Sequence, residues 1–143
     1  MSYDKLKLEN QLCFPLYACA KEVVRAYTPL LNELDITYTQ YITMMVIWDR
    51  SSINMKELGK LLYLDSGTLT PLLKKLEQAG YIVRKRDEQD ERSVIVQVTD
   101  RGLELREKAL NVPEKAGKCI SLEAEDAKEL YRILYELLEQ FRS

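Results

Sequence analysis

The chain has 143 residues, of which 46% are apolar and 31% charged, and its net charge is −2. This length and apolar content fit one domain with its own core. The sequence has no apolar run of roughly 18 residues that could span a membrane. Residues 1–10 lack the apolar core of a secretion signal, and we therefore expect a cytoplasmic protein without a membrane partner.

The sequence contains no histidine, and its three cysteines are Cys13, Cys19 and Cys119. Without histidine, Ser-His-Asp catalysis, Cys-His catalysis and imidazole-bound zinc are excluded. Three scattered cysteines cannot form a Cys₄ metal site, and their odd number argues against a disulfide framework. We therefore expect reduced thiols, no metal, no organic cofactor and no enzymatic activity.

Leucines and valines at helical spacing predict a long first helix over residues 6–34. Pro15 and Pro29 each remove a backbone donor and are the points where this helix could kink or divide. A second helix is predicted over residues 39–48, and the polar residues 50–54 indicate a connector.

Residues 55–62 predict a short amphipathic helix, and Asp65 or Ser66 is suited to cap the helix that follows. That second helix carries four leucines at the spacing of a buried face, and Gly80 is suited to end it. Two short helices joined by a tight turn predict a helix-turn-helix. The leucines are Leu69, Leu72, Leu73 and Leu76.

After Gly80 the period of the sequence changes from that of a helix to that of a strand. Basic residues 84–86 lead into a polar turn over residues 87–90, and Val94, Val96 and Val98 then alternate with other residues. A hairpin directly after a helix-turn-helix is a wing. Thr99 or Asp100 is suited to cap a further helix, which Pro113 and Gly117 interrupt, and a last amphipathic helix is predicted over residues 123–141.

The order of two helices, a helix-turn-helix, a wing and two terminal helices resembles the MarR family of bacterial regulators across essentially the whole chain. Three segments resemble the branch that responds to organic hydroperoxides, the OhrR type. They are LDSGTLTPLLKKLE at residues 64–77, DERS at residues 90–93, and LENQLCF at residues 8–14, with Tyr17, Tyr27 and Tyr38 downstream. The cysteine segment together with the three tyrosines is the most specific of these signals.

The resemblance implies a mainly α fold with a small β-hairpin wing, which is the winged helix-turn-helix of a MarR-like dimer. Residues 1–143 are expected to form a single MarR-type domain. Within it, residues 1–36 and 101–143 would supply the dimerisation helices and residues 37–100 the winged helix-turn-helix. The homodimer is expected to repress transcription by binding a palindromic operator in double-stranded DNA.

In that arrangement the second helix of the motif enters the major groove, where its exposed residues meet base edges or phosphates. Arg92 on the wing would reach the minor groove, with Asp90 beside it to hold the guanidinium. An ordinary solvated basic face is the alternative reading of the same charges. The candidate DNA-binding residues are Ser66, Thr68, Thr70, Lys74, Lys75, Arg84, Arg86, Asp90 and Arg92.

Cys13 is the candidate sensor, and the resemblance assigns the peroxide-reactive cysteine to this position. A thiol reacts with a peroxide as the thiolate and needs some access to solvent. A small buried hydrophobe is the usual role of a lone cysteine in a leucine-rich helix. Tyr17, one turn further along, can lie on the same face as Cys13 and favours the sensor over that usual role.

Tyr27 lies fourteen residues beyond Cys13, which on a helix is roughly 21 Å along the axis. Its hydroxyl therefore cannot reach Cys13 of the same chain. If Tyr27 and Tyr38 stabilise the thiolate, they must come from the partner subunit, and the resemblance implies the same arrangement. Packing in the dimer core is the alternative role for both tyrosines.

Oxidation of Cys13 to a sulfenic acid, followed by condensation with a thiol or a backbone nitrogen, would shift the dimer helices and release the operator. In one subgroup of the resembling family a cysteine from the region of Cys119 resolves the oxidised sensor. The motifs here are closer to the subgroup with a single reactive cysteine, in which a small cellular thiol does so. Two rival functions stay open: a MarR-type repressor with a bound phenolic or lipophilic ligand, and a thiol peroxidase.

Overall fold

In the computed structural model, residues 2–142 are described, and two 3₁₀ turns precede seven α-helices and three β-strands within them. Met1 and Ser143, the end residues of the predicted domain, lie outside the described residues. The helices are α1 (Cys13–Asn32), α2 (Tyr38–Arg50), α3 (Met55–Leu62), α4 (Ser66–Gln78), α5 (Asp100–Ala109), α6 (Val112–Cys119) and α7 (Ala124–Glu139). The strands are β1 (Ser52–Asn54), β2 (Ile82–Arg86) and β3 (Val94–Val98).

The first helix begins later than the sequence predicts, because the segment before Cys13 forms two 3₁₀ turns, Asp4–Leu6 and Leu8–Asn10. The Asn10 side-chain amide donates to the carbonyl of Asp4 at 2.7 Å. The Gln11 amide donates to the carbonyls of Lys5 and Lys7, each at 2.8 Å. These side-chain hydrogen bonds compete with the backbone bonds of an α-helix. The helix that the leucine spacing predicts before Cys13 therefore does not form.

Neither proline divides α1, which runs unbroken from Cys13 to Asn32. Pro15 is the third residue of the helix, where a backbone N–H has no partner within the helix and its loss costs little. Pro29 lies inside the last turns of the same helix. Fourteen residues of continuous helix therefore separate Cys13 from Tyr27, as the sequence argument required.

Side-chain caps fix the start of the helices that build the helix-turn-helix. Thr37 and Gln40 form a reciprocal capping box at the start of α2. Asn54 caps α3, and Asp65 rather than Ser66 caps α4 by accepting from the Thr68 N–H at 2.8 Å. Each cap satisfies backbone donors that the first turn leaves without partners. The α4 helix ends before Gly80, whose φ of +86° confirms the predicted left-handed stop.

The predicted wing is confirmed, and it belongs to a three-stranded antiparallel sheet of order β1-β3-β2. In the hairpin, Ile82 lies opposite Val98 and Arg86 opposite Val94. The segment predicted as a connector contains β1, which pairs Ile53 with Val96 of β3. A strand of three residues shows no alternation of its own, and only the distant β3 makes it a strand.

One apolar core lies between α2, α3, α4 and the sheet, and it continues to buried residues of α1, α5 and α6. The α4 leucines Leu69, Leu73 and Leu76 are buried there together with Ile82 and Val96. Leu72, the fourth leucine of the predicted stripe, packs half-buried against the same core. This burial fixes which side of α4 faces away from the protein.

The helices after the wing differ in how they pack. Thr99, rather than Asp100, caps α5, and α6 packs against α1. The last helix, α7, contains no buried residue although apolar side chains line one of its faces. Among these are Leu130, Tyr131, Ile133 and Tyr135, all of which are exposed.

Within residues 2–142, no helix combines the length and the apolar character needed to cross a membrane.

Two glycines in consecutive helices give opposite expectations for the same substitution. A Cβ at Gly102 of α5 would collide with the Tyr81 carbonyl oxygen and lie 2.7 Å from Cγ2 of Val98, whereas one at Gly117 of α6 would meet nothing within 4 Å. We expect Gly102→Ala to lower the free energy of unfolding by ~1–3 kcal/mol through overpacking. Gly117→Ala should instead raise it by ~0.5–1 kcal/mol through helix propensity.

Urea unfolding followed by circular dichroism measures both values. A Gly102→Ala protein as stable as the wild type would show that α5 does not pack closely on the turn before β2.

Candidate functional site

The outer face of α4 carries the predicted contact residues. Its buried leucines hold the opposite face against the core, so these side chains point away from the protein. Ser66, Thr68, Lys74 and Lys75 are exposed, and Thr70 is half-buried. Hydroxyls and ammonium groups on one exposed helix face suit contacts with base edges and phosphates.

Asp65 orients the start of this helix. Hydrogen bonds from Thr68, backbone first, lower the pKa of the Asp65 carboxyl. The carboxylate is therefore ionised at neutral pH, and its charge lies at the positive end of the α4 dipole. Because the lowered pKa belongs to the folded state, this stabilisation is present at neutral pH and is lost as the pH falls through the Asp65 pKa.

The tip of the wing is held by Asp90, although not in the way the sequence predicts. Its carboxylate accepts from the backbone N–H of Arg92 at 3.0 Å and from the Ser93 hydroxyl at 3.2 Å. The Arg86 guanidinium donates to the Glu91 carbonyl at 2.7 Å. Asp90 therefore shapes the turn rather than holding the Arg92 guanidinium, and Arg92 is exposed at the tip.

Arg84 is the predicted DNA-binding residue whose placement argues most strongly for another role. Its guanidinium donates to Oε1 of Glu77 on α4 at 3.0 Å, and its Nε atom is buried. The Arg84 backbone N–H also donates to Glu77, at 3.2 Å. The hydrogen bond from Arg84 lowers the pKa of the Glu77 carboxyl. The pair joins α4 to the base of the wing. We therefore assign Arg84 a structural role in holding the wing to the helix-turn-helix.

Cys13 is the first residue of α1 and is exposed. The residue before it, Leu12, provides no side-chain cap, so the first N–H groups of α1 lack a side-chain acceptor. Tyr17, one turn along α1, is 63% exposed, and Phe14 and Leu16 are partly exposed beside it.

Tyr27 and Tyr38 lie together at the far end of α1. Their ring centroids are 5.0 Å apart with the rings edge to face. Burial, and then the neighbouring Tyr27, raise the pKa of the Tyr38 hydroxyl, which therefore keeps its proton and can donate it in a hydrogen bond. The structure thus brings the two distal tyrosines together and leaves Cys13 and Tyr17 at the opposite end of the helix.

A third tyrosine, Tyr41, completes this cluster and was missed by the sequence analysis. Its ring is 5.9 Å from that of Tyr27 and 6.3 Å from that of Tyr38, and it is 3% exposed. Burial raises its pKa. The spacing of three residues between Tyr38 and Tyr41 on α2 was the available signal, since such pairs share a helix face.

The other two thiols are exposed as well. Cys19 lies on α1, six residues after Cys13, and Cys119 is the last residue of α6. On one helix a six-residue separation corresponds to about 9 Å of rise, which is too long for a disulfide between Cys13 and Cys19.

Comparison with known proteins identifies the family. A family model described as transcriptional regulator SarA/Rot matches residues 25–109. The chain is 49% identical over 137 residues to the organic hydroperoxide resistance transcriptional regulator of Bacillus subtilis, covering 96% of this chain and 93% of that protein. The chain belongs to the MarR family of transcriptional regulators, in its OhrR branch.

Solved structures support the same assignment. Reduced AbfR of Staphylococcus epidermidis, bound to DNA, is 32% identical with a TM-score of 0.80, and both chains are covered completely. The disulfide form of AbfR has a TM-score of 0.61, with 97% of this chain and 92% of that chain covered. The TM-score is therefore higher against the reduced, DNA-bound form of AbfR than against its disulfide form.

Substitutions of Arg84 and Arg92 distinguish a residue that stabilises the winged helix-turn-helix from one that contacts DNA. We expect Arg84→Ala to lower the melting temperature, because it breaks the Glu77 pair and leaves that carboxylate without its partner. Arg92→Ala should leave the melting temperature unchanged and weaken binding to duplex DNA, since it removes an exposed cation from the wing. Thermal unfolding and fluorescence anisotropy with labelled DNA measure the two effects.

If Arg84→Ala has the same melting temperature as the wild type, Arg84 is again a candidate DNA contact. If Arg92→Ala binds DNA with full affinity, the wing tip does not contact DNA.

Proposed function

We propose that this chain is a homodimeric repressor that binds a palindromic operator when reduced and releases it when an organic hydroperoxide oxidises Cys13. The observation that carries the proposal is an exposed cysteine at the N-terminal end of a long helix in a winged-helix regulator. The proposal includes the single domain 1–143, with dimerisation segments at about 1–36 and 101–143 around a winged helix-turn-helix at about 37–100. Because such a repressor acts on chromosomal DNA, the proposal places it in the cytoplasm.

The apolar surface that one protomer leaves uncovered supports the dimer. On α7 no side chain is buried, although its apolar residues line one face. At the start of α1, Leu12 is 87% exposed. Surfaces of this kind are covered in interfaces between subunits. A second copy that packs α1 and α7 against the same helices would cover both surfaces.

Two copies of α4 would then read two half-sites of a palindrome. Their exposed hydroxyls and lysines would enter successive major grooves, and Arg92 would extend from each wing toward the adjacent minor groove. The net charge of the chain is −2, so DNA affinity depends on these local cations rather than on overall charge.

The sensing step is a two-electron oxidation of Cys13. Its thiolate attacks the terminal oxygen of the hydroperoxide, the O–O bond breaks, and an S–OH group forms. The alkoxide that leaves takes up a proton and becomes an alcohol. The sulfenic acid then condenses with a thiol to form a disulfide and water. The apolar side chains of Phe14, Leu16 and Tyr17 near Cys13 favour an organic peroxide over hydrogen peroxide.

In the proposed dimer, Tyr27 and Tyr38 of one protomer meet Cys13 of the other. Their hydroxyls donate to the thiolate and favour its charged form. The observed pairing of the two rings supports this role, because both phenols are available at one place. Tyr41 packs behind them and holds their positions relative to α2, the helix that leads into the DNA-binding unit.

We propose that a small cellular thiol reacts with the sulfenic acid to form the disulfide. Cys119 of the partner subunit is the other candidate for this resolving thiol. Either product adds bulk between packed helices of the dimer. Because packed interfaces shift between discrete arrangements, the added group would change the spacing of the two α4 helices and lower the operator affinity. The protein is consumed stoichiometrically in this scheme and acts as a switch, not as an enzyme.

A groove offers a second candidate function, in which a phenolic or lipophilic ligand releases the operator without oxidation. The groove has a volume of about 1030 Å³ and lies between α3, α4, the wing and the end of α7. Its apolar lining includes Tyr63, Leu64, Leu69, Leu138 and Phe141. Release of the operator by such a ligand after alkylation of all thiols would support this function.

Replacement of Cys13 is the direct test of the peroxide proposal. We expect Cys13→Ser to bind the operator with wild-type affinity and to keep it bound after one equivalent of cumene hydroperoxide, since serine preserves size but not oxidation chemistry. Cys19→Ser is the matched control on the same helix and should release the operator as the wild type does. Anisotropy of labelled operator measures release, and peroxide turnover with excess thiol tests for a peroxidase.

Release by Cys13→Ser at the wild-type rate would exclude Cys13 as the sensor. Non-reducing gels of the oxidised proteins separate the two routes of resolution. A crosslinked dimer that disappears in Cys119→Ser identifies Cys119, and a small-thiol adduct on Cys13 identifies the other route.

Replacement of the tyrosines tests the partner hydroxyls. Tyr27→Phe and Tyr38→Phe each keep the ring and remove one donor, so they should slow the reaction of Cys13 with cumene hydroperoxide. Dimer stability should change by only about 1 kcal/mol, the size of one hydrogen bond. Tyr3→Phe is the control outside the cluster. Stopped-flow oxidation rates equal to the wild type in both variants would assign these tyrosines to packing alone.

A further inference from the structure

The chain just beyond α7 touches the turn of the helix-turn-helix, and Arg142 makes the polar contact there. Arg142, three residues beyond the end of α7, donates from its guanidinium to the backbone carbonyl of Lys60 at 3.0 Å. The guanidinium carbon also lies 4.6 Å from the ring centroid of Tyr63, within the range of a cation–π interaction. On the other side, Oε1 of Glu139 lies 3.7 Å from the same guanidinium.

These two partners occupy a particular position in the fold. Lys60 lies in the last turn of α3, where carbonyls lack the regular helical bond from four residues on and attract a cation. Tyr63 is the residue after α3 and has a φ of +56°, so it forms the left-handed turn between α3 and α4. The turn is completed by the Tyr63 N–H, which donates to Lys60 at 3.3 Å, and the Leu64 N–H, which donates to Gly59 at 2.9 Å.

This turn sets the angle between α3 and α4. A Cβ at Gly59 would lie 2.9 Å from the Leu64 carbonyl oxygen in the turn and 3.4 Å from Cδ2 of Leu69 on α4, so α3 packs closely on both. A displacement of the turn therefore moves the start of α4, which carries Ser66 and Thr68. The helix at the other end of the contact, α7, has no side chain buried in its own protomer.

We propose that Arg142 is a positioning residue that links the dimerisation helix α7 to the turn of the helix-turn-helix and holds α4 in its operator-binding orientation. The inference rests on the proposed function, in which α7 is held by the partner subunit. Because α7 packs on the partner, a shift of the dimer helices reaches the turn through the Arg142 guanidinium. The proposal thus assigns a contact by which a change in the dimer interface moves the DNA-binding helix.

Arg142→Gln tests the link, and Arg132→Gln is its matched control. Arg132 lies on α7 itself and pairs within that helix, with Glu129 and Glu136. The probe is a duplex that the reduced wild-type protein selects from a random-sequence library. We expect Arg142→Gln to bind this duplex about five- to tenfold more weakly, in the usual range of coupling between sites, and Arg132→Gln to bind it as the wild type does.

Three further readouts separate positioning from other roles. The salt dependence of binding should be unchanged in Arg142→Gln, because a direct phosphate contact would reduce its slope by about one. The rate at which cumene hydroperoxide oxidises Cys13 should also be unchanged. Tyr63→Phe keeps the ring face and should bind the duplex as the wild type does. The double variant Tyr63→Leu with Arg142→Gln should lose little more duplex affinity than either single variant, because both changes break the same contact.

Amide hydrogen exchange tests the same contact without DNA. The amides of Tyr63 and Leu64 should exchange faster in Arg142→Gln than in Arg132→Gln. The proposal is overturned if these amides exchange equally fast in the two variants, or if Arg142→Gln keeps full operator affinity. It is also overturned if both variants lose the same operator affinity, or if the salt dependence of binding becomes shallower in Arg142→Gln. Operator binding by the wild type and its release by peroxide report on the proposed function separately, so the two can fail independently.

Discussion

The apolar faces of α1 and α7 are the constraint on which the proposed mechanism depends. A single protomer leaves these faces in contact with water, at a cost of roughly 25 cal/mol for each Å² of apolar surface. A second copy removes that cost only if the long helices pack side by side. In the proposed dimer, the same packing brings the Cys13 end of one α1 toward the Tyr27 end of the other, because α1 runs unbroken and cannot do so within one chain. Dimer formation and completion of the proposed thiol site would then have one physical cause.

The DNA-binding unit is built on a different principle. Its core is complete within one protomer, with the α4 leucines buried and the caps at Asn54 and Asp65 satisfied. The ion pair between Glu77 and Arg84 fixes the wing to α4, and Asp90 fixes the wing tip. In the proposed mechanism this unit moves as a body, so that small shifts of the dimer helices would change the position of α4 and not its shape.

Sequence reasoning failed where a long-range partner or a side chain competed with local periodicity. The three residues of β1 became a strand only by pairing with β3, more than forty residues away in the chain. The N-terminal leucines had helical spacing, yet the amides of Asn10 and Gln11 bonded backbone carbonyls and produced 3₁₀ turns. Asp90 and Arg84 were predicted as DNA-binding residues from their charge, and the tertiary structure adds partners within the protein, the wing turn for Asp90 and Glu77 for Arg84.

The sequence alone determined the winged helix-turn-helix, its wing and the family resemblance, because leucine spacing, alternation in β3 and the Cys13 segment are local signals. It left two candidate caps each for α4 and α5, and the structure selected Asp65 and Thr99. The sequence also determined that Tyr27 cannot serve Cys13 of its own chain, since helix rise is a fixed length. The tertiary structure decided which charges are exposed and which are paired, and it added Tyr41 to the tyrosine cluster. It also placed Arg142 on the turn after α3, 82 residues away in sequence. No local pattern encodes such a contact, because it depends on where α7 ends relative to a turn built by other elements.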